Sequence, residues 1–332
     1  MGPSNLSLFS KVKYYLKLSK ELQAYLSKYP DHWQKFQEDF NKNVDGIYQE
    51  ILEFEKTNMD KSETKVYKLK KIFEKRYRRF FLYGEFIKWS YEKPFGYSGD
   101  FKIIDDIYQN HPNTVGFDRL WDNYFQQLAA VKATRERKED FKKIILDSVK
   151  DNHEQNIRIM NLGSGSAREI KELLVSNPGL LFPKVIFDCY DFDINAINYA
   201  KKILNKVKNV NLLQKNAIRL ALKNDITKEI PWKYDLIYST GLFDYLDERV
   251  AIRLISNLKK LLRKNGLIVI SNARDKYHNS SAGWMEWVAD WNLIYRSREE
   301  FKQIFLDAGF LPEKILIVPQ RTKVMQYCFA HI

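Results

Sequence analysis

The chain has 332 residues, 45% of them hydrophobic and 29% charged, which is enough for one large domain or two ordinary ones with real cores. No run approaches the roughly 18 apolar residues of a membrane span, and the first residues lack the apolar core and cleavage site of a secretory signal, so a cytoplasmic address is expected. Two cysteines exclude a disulfide framework, and the +13 charge raises a nucleic-acid partner, disfavoured because basic residues are spread over both halves and interleaved with acids.

Residues 1 to about 125 read as helical, with apolar residues at intervals of three and four and with Pro30 and Pro112 as punctuation. The densest basic patch is "KSETKVYKLKKIFEKRYRRF", residues 61–80. Val66, Leu69, Ile72, Phe73, Tyr77 and Phe80 recur there at helical spacing, so one face is apolar and the other carries Lys and Arg. That basic face is either simply solvated or faces an anionic partner. "YEKPFGYSGDF", residues 91–101, interrupts the helical texture as a structured loop.

From about residue 126 the texture changes. A helix carrying "VKATRERKEDFKKIIL" leads into apolar runs at 157–162, 184–191, 209–216, 234–240 and 266–273, separated by helical stretches. Strands alternating with helices predict a parallel sheet with right-handed crossovers. The last two runs, 314–319 and 325–332, are joined by five residues, which favours a hairpin and an antiparallel final strand. The expected domains are therefore a helical 1–125 and an α/β 126–332.

"IMNLGSGSAREI", residues 159–170, is a strand running through two glycines into a helix. A third glycine, needed for a dinucleotide fingerprint, is absent because Arg168 stands there, and no P-loop lysine follows. The next predicted strand ends at Asp191, whose carboxylate accepts hydrogen bonds only and therefore suits a ribose diol. Helix capping is its competing use, and Asp193 is the alternative ligand. The third strand ends at Asn216 and Ala217, placed for an adenine edge, with a turn role for Asn216 as the alternative. The fourth leads into Ser239–Gly241. Three strand ends converging in this order suit S-adenosylmethionine better than a nicotinamide dinucleotide.

On these residues the chain resembles the class I S-adenosylmethionine-dependent methyltransferases, whose Rossmann-like sheet is mostly parallel with an antiparallel last strand. Within them, "KPFGYSGDF", "GSGSAREI", "YSTGLFDYLDERVA", "GLIVISN" and "WMEWVADWNLIYRSREE" resemble the bacterial group that includes the methyltransferase making 3-hydroxypalmitic acid methyl ester. Asn161 stands where the wider family usually has an acid. The resemblance implies that Gly163, Ser164 and Gly165 line the methionine end and ribose through backbone N–H groups and close approach. It implies that Phe192 stacks on adenine and Tyr97 covers the methyl group. Arg135 and Arg168 each offer a planar fork for a carboxylate, with a surface ion pair as the alternative use.

The acceptor is expected to be a small or lipid-like molecule methylated at oxygen, most simply a carboxylate. Asp244, Tyr245, Tyr295 and Arg296 are the catalytic candidates, and His278, Glu286 and Asp290 the acceptor-binding ones. Glu286 and Asp290 are spaced to share a helix face. The acids also suit an amine or peptide acceptor. A non-catalytic nucleotide fold binding RNA or an anionic surface through residues 61–80 is the third reading. The five histidines show no metal-binding spacing, so no metal is expected.

Overall fold

The structure is a computed structural model that describes residues 3–150, 152, 156–181, 184–205 and 207–332. It divides into two compact units, Met1–Lys132 with Tyr277–Asn292, and Ala133–Lys276 with Leu293–Ile332. The first unit is helical. Helix Pro3–Leu26 packs against the long helix Gln37–Arg76, which is interrupted at Ser62 by a non-helical residue (φ −166°, ψ 76°). Tyr15, Phe40, Tyr48, Phe73, Phe81, Trp121 and Phe125 are buried, with rings edge-on, tilted or, for Tyr15 on Phe81, stacked, at centroid distances of 4.7 to 6.5 Å. These aromatics fill a core. The segment Tyr277–Asn292 belongs to this unit because its tryptophans do: Trp287 lies 5.7 Å from Phe73 and Trp284 5.5 Å from Phe125. A linear reading that follows strand after strand cannot see this return.

Among the described residues the second unit holds seven strands: β1 Ile157–Leu162, β2 Val185–Asp191, β3 Val210–Gln214, β4 Tyr234–Ser239, β5 Leu262–Ala273, β6 Ile315–Pro319 and β7 Met325–His331. Their order is β3-β2-β1-β4-β5-β7-β6, and β7 runs antiparallel to both neighbours. The expected antiparallel last strand is present, because the five-residue link lets β7 only fold back on β6. Alternation along each strand feeds two cores. Met160, Leu162, Ile268 and Ile270 face one, with the helices Glu248–Lys259 and Arg298–Asp307. Ile157, Ile159 and Val269 face the other, with Phe141, Ile170 and Leu204 from the opposite helix layer. Both faces are covered, which is why the parallel strands read as near-continuous apolar runs. β5 begins four residues earlier than its apolar run, and Asn265 adopts a left-handed conformation (φ 63°) inside it. Cys189 and Cys328 are buried free thiols.

Candidate functional site

The carboxyl ends of β1, β2 and β4 build the site. β1 delivers the chain into Gly163 (φ 72°) and Gly165 (φ 53°), and Ala167 (φ 51°) completes the turn before helix Arg168–Ser176. Gly163 has to be glycine twice over. Its positive φ disfavours a side chain, and a Cβ there would sit 3.2 Å from Leu242 Cβ. Gly163→Ala is expected to cost about 1–2 kcal/mol of stability, read as a fall in Tm, and an unchanged Tm would refute the strained-turn account.

The turn is pinned to β2. Gly163 and Ser164 both donate their N–H groups to Tyr190 O (2.8 and 3.1 Å), and Gly165 donates to Asp191 Oδ2 at 2.8 Å. This corrects the expectation that the three N–H groups face a ligand: they are spent on the neighbouring strand, and only close approach is left to the glycines. Asp191 is itself buried and also accepts from Asp193 N–H at 3.0 Å. Burial pushes its carboxyl above the usual range, opposed by the N–H donors of Asp193 and Gly165. The Phe192 N–H also acts on this carboxylate, and only the lone pairs that these donors leave are open to a ligand.

Asp193 and Asn216 both cap helices. Asp193 accepts from Asn195 N–H at 2.8 Å and Asn216 from Arg219 N–H at 3.0 Å, while Ala217 is buried and Phe192 is half exposed beside them. Ser239 is fully buried and its hydroxyl donates to Leu162 O at 2.7 Å. It ties β4 to β1.

A buried polar cluster lies around these strand ends. Glu169 Oε1 accepts from Asn161 Nδ2 at 2.8 Å and from Tyr238 Oη at 2.9 Å. Burial raises its carboxyl, and its hydrogen bonds oppose that rise. Arg137, 4% exposed, brings Nη1 to 3.8 Å from Asp244 Oδ2 and 3.5 Å from Met325 Sδ. It lies against Gly241, where a Cβ would stand 3.4 Å from the guanidinium, in ordinary contact. Three buried atoms of this cluster have no protein partner: Asn161 Oδ1, Ser164 Oγ and Arg137 Nε. Such groups are costly unless a ligand or water completes them. One acceptor, one hydroxyl and one cationic donor beside a buried Asp191 fit a nucleoside that carries a charged amino-acid tail.

Asp244 and Arg296 have a different place from the one expected. Asp244 Oδ1 accepts from Asn272 Nδ2 (2.7 Å) and Ala273 N–H (2.6 Å). Arg296 donates to the carbonyls of Phe243 (2.8 Å) and Leu246 (2.5 Å) and to Asn272 Oδ1 (3.2 Å). Burial raises the Asp244 carboxyl and lowers the Arg296 guanidinium, with Arg137 the main influence holding Asp244 down. Both side chains knit the turns after β4 and β5 together. Tyr245 is 41% exposed, Tyr295 is half-buried, and Arg135 is half-buried with its guanidinium lowered by burial.

Tyr97, His278, Glu286 and Asp290 belong to the helical unit. Helix Ala282–Trp287 ends before Asp290, which is left-handed (φ 50°), so Glu286 and Asp290 do not share a helix face. Asp290 instead meets Lys93 Nζ, through its carbonyl at 2.7 Å and its carboxylate at 3.6 Å. Among the described residues no three His, Cys, Asp or Glu side chains gather as a metal site; His153 lies outside them. No described helix is long and apolar enough to cross a membrane.

Residues 160–268, about a third of the chain, match the family model of a methyltransferase domain. No curated protein matches. Among solved structures, a possible exported protein of Bordetella parapertussis shares the fold, with a TM-score of 0.55 and 19% identity over 70% of this chain and 79% of that one. An S-adenosylmethionine-dependent methyltransferase of Aquifex aeolicus is 19% identical over 57% of this chain and 89% of its own, with a TM-score of 0.39. Magnesium protoporphyrin IX methyltransferase of Synechocystis, solved with bound S-adenosylmethionine, is 13% identical over 60% and 82%, with a TM-score of 0.42.

Proposed function

We propose that this chain, an S-adenosylmethionine-dependent methyltransferase, methylates a carboxylate oxygen of a small or lipid-like acceptor. S-adenosylmethionine supplies a methyl group already activated on a sulfonium. Asp191 would hold the ribose, Asn161 and Ser164 would meet the amino-acid end, and Gly163 would let the cofactor lie against the turn. The observation that carries the acceptor assignment is the state of Asp244. Its carboxylate is 4% exposed and engaged by Asn272, Ala273 and Arg137, so it is withdrawn from proton transfer.

A carboxylate acceptor is ionised at neutral pH and needs no base. Its oxygen forms the new O–C bond as the S–C bond breaks, and S-adenosylhomocysteine leaves as a neutral thioether. Positioning and exclusion of water then account for the acceleration. An amine acceptor is less well served by two of its three candidate acids, Asp244, Glu286 and Asp290, because Asp244 answers to Arg137 and Asp290 to Lys93.

Incubation with methyl-labelled S-adenosylmethionine and panels of fatty acids, amines and peptides tests the assignment. The label is expected on an acid, released as methanol by mild alkali. Alkali-stable label on an amine or peptide would replace the carboxylate reading with nitrogen transfer.

A further inference from the structure

Residues 61–80 hold nine basic and two acidic side chains, a net +7 within the chain's +13. The break at Ser62 makes the residues after it a helical segment with its own direction. Val66, Leu69 and Phe73 seat that segment in the helical unit at 1%, 4% and 0% exposure. Lys68, Lys71, Ile72, Lys75 and Arg76 are all exposed, and steps of three and four gather them on one arc. Some surface lysines earlier in the same unit find carboxylates, as Lys11 does with Glu50 (2.8 Å) and Lys42 with Glu38 (2.7 Å). On this arc they do not. Glu74 is taken by Arg78 at 2.5 Å, and Lys68, Lys71, Lys75 and Arg76 make no ion pair among the described residues.

We propose that this arc is a docking surface for an anionic lipid bilayer. The complementarity is of charge first: four uncompensated cations within nine residues attract a layer of anionic headgroups. Three of the four are lysines, compact point charges that suit a fluid array of phosphates better than the fixed edges of bases, which call for planar forks or stacking rings. Ile72, 37% exposed in the middle of the cations, is apolar surface that a headgroup boundary can take up and a phosphate backbone cannot. Because the inner face is buried, the helix can meet a partner only tangentially, as it would a flat surface. Docking of this kind needs no assumption about the acceptor. A carboxylate-bearing lipid would, however, be concentrated at the same surface.

The full-length protein is to be sedimented with vesicles of phosphatidylcholine containing one third phosphatidylglycerol, and with vesicles of phosphatidylcholine alone. Binding is expected to the anionic vesicles only, and to vanish in about 1 M salt, where the Debye length is about 3 Å. Replacing Lys68, Lys71, Lys75 and Arg76 together by glutamine is expected to lower partitioning by two to three orders of magnitude, about fivefold per cation. A control carrying glutamine at Lys201, Lys202, Lys208 and Lys228, exposed cations of the sheet unit, should retain most of it. Unchanged S-adenosylhomocysteine binding certifies the fold of both variants. Three results would overturn the proposal: no anionic-vesicle binding at low salt, equal losses in the two variants, or displacement of vesicles by duplex RNA at matched phosphate concentration.

Discussion

Replacing Asp191 with asparagine is expected to abolish measurable binding of S-adenosylhomocysteine in calorimetry, a loss of at least a hundredfold, or about 3 kcal/mol. The size follows from what the carboxylate does. It accepts Gly165 N–H at 2.8 Å and Asp193 N–H at 3.0 Å, and its remaining lone pairs are what a ribose diol would use. Hydrogen bonds to a charged group are worth about 1.5–3 kcal/mol each. An asparagine must also turn its NH2 toward the N–H donors of Gly165, Asp193 and Phe192, so the turn is disturbed along with the ligand contact. Alanine removes the acceptor of these donors and is expected to be as damaging.

A pH dependence accompanies this. Burial raises the Asp191 carboxyl in the free protein, whereas donors from a ligand favour its ionised form and bring it down. Binding therefore releases protons between the two values, and affinity rises with pH through that window to a plateau above it. Titrations in buffers of different ionisation enthalpy would detect the release. If wild type and Asp191→Asn bind equally well, with the same proton count, the ribose assignment is wrong.

Glu169→Gln is expected to weaken S-adenosylhomocysteine about tenfold, or about 1.4 kcal/mol, and to leave 5′-methylthioadenosine, which lacks the amino-acid end, unaffected. Glutamine keeps an Oε1 that can still accept from Asn161 and Tyr238, so the substitution removes charge more than shape. The Glu169 carboxylate is buried, and its two side-chain donors are neutral. Asn161 lies between it and the turn, with Oδ1 buried and unpartnered. A ligand ammonium at that oxygen would give the buried charge its counterion, with Glu169 acting through Asn161 as a positioning residue. Equal losses for both ligands would mean that Glu169 serves only the architecture.

Much of the fold was legible because strands buried on both faces write themselves as apolar runs. β1, β2 and β4 begin and end within two residues of those runs, and the short link from β6 to β7 dictated the antiparallel end. The glycine turn and Asp191 were legible for a similar reason: positive φ and an acid at a strand end are local requirements. The partners of these groups were not. Asp191 and Gly165 are 26 residues apart, and Glu169 meets Tyr238 across 69. Arg135 and Arg137 look alike in sequence, and only packing buries the second.

The sequence by itself determined the strands, their alternation with helices, the turn after β1 and the charge of residues 61–80, because each depends on periodicity or on one residue's backbone preference. Tertiary structure alone decided how the polar groups are spent. It committed the turn's N–H groups to β2, gave Ser239, Asp244 and Arg296 to the framework, and returned residues 277–292 to the helical unit. A hydrogen bond or a buried charge is settled by what the fold brings within about 3 Å, and sequence separation does not encode that distance.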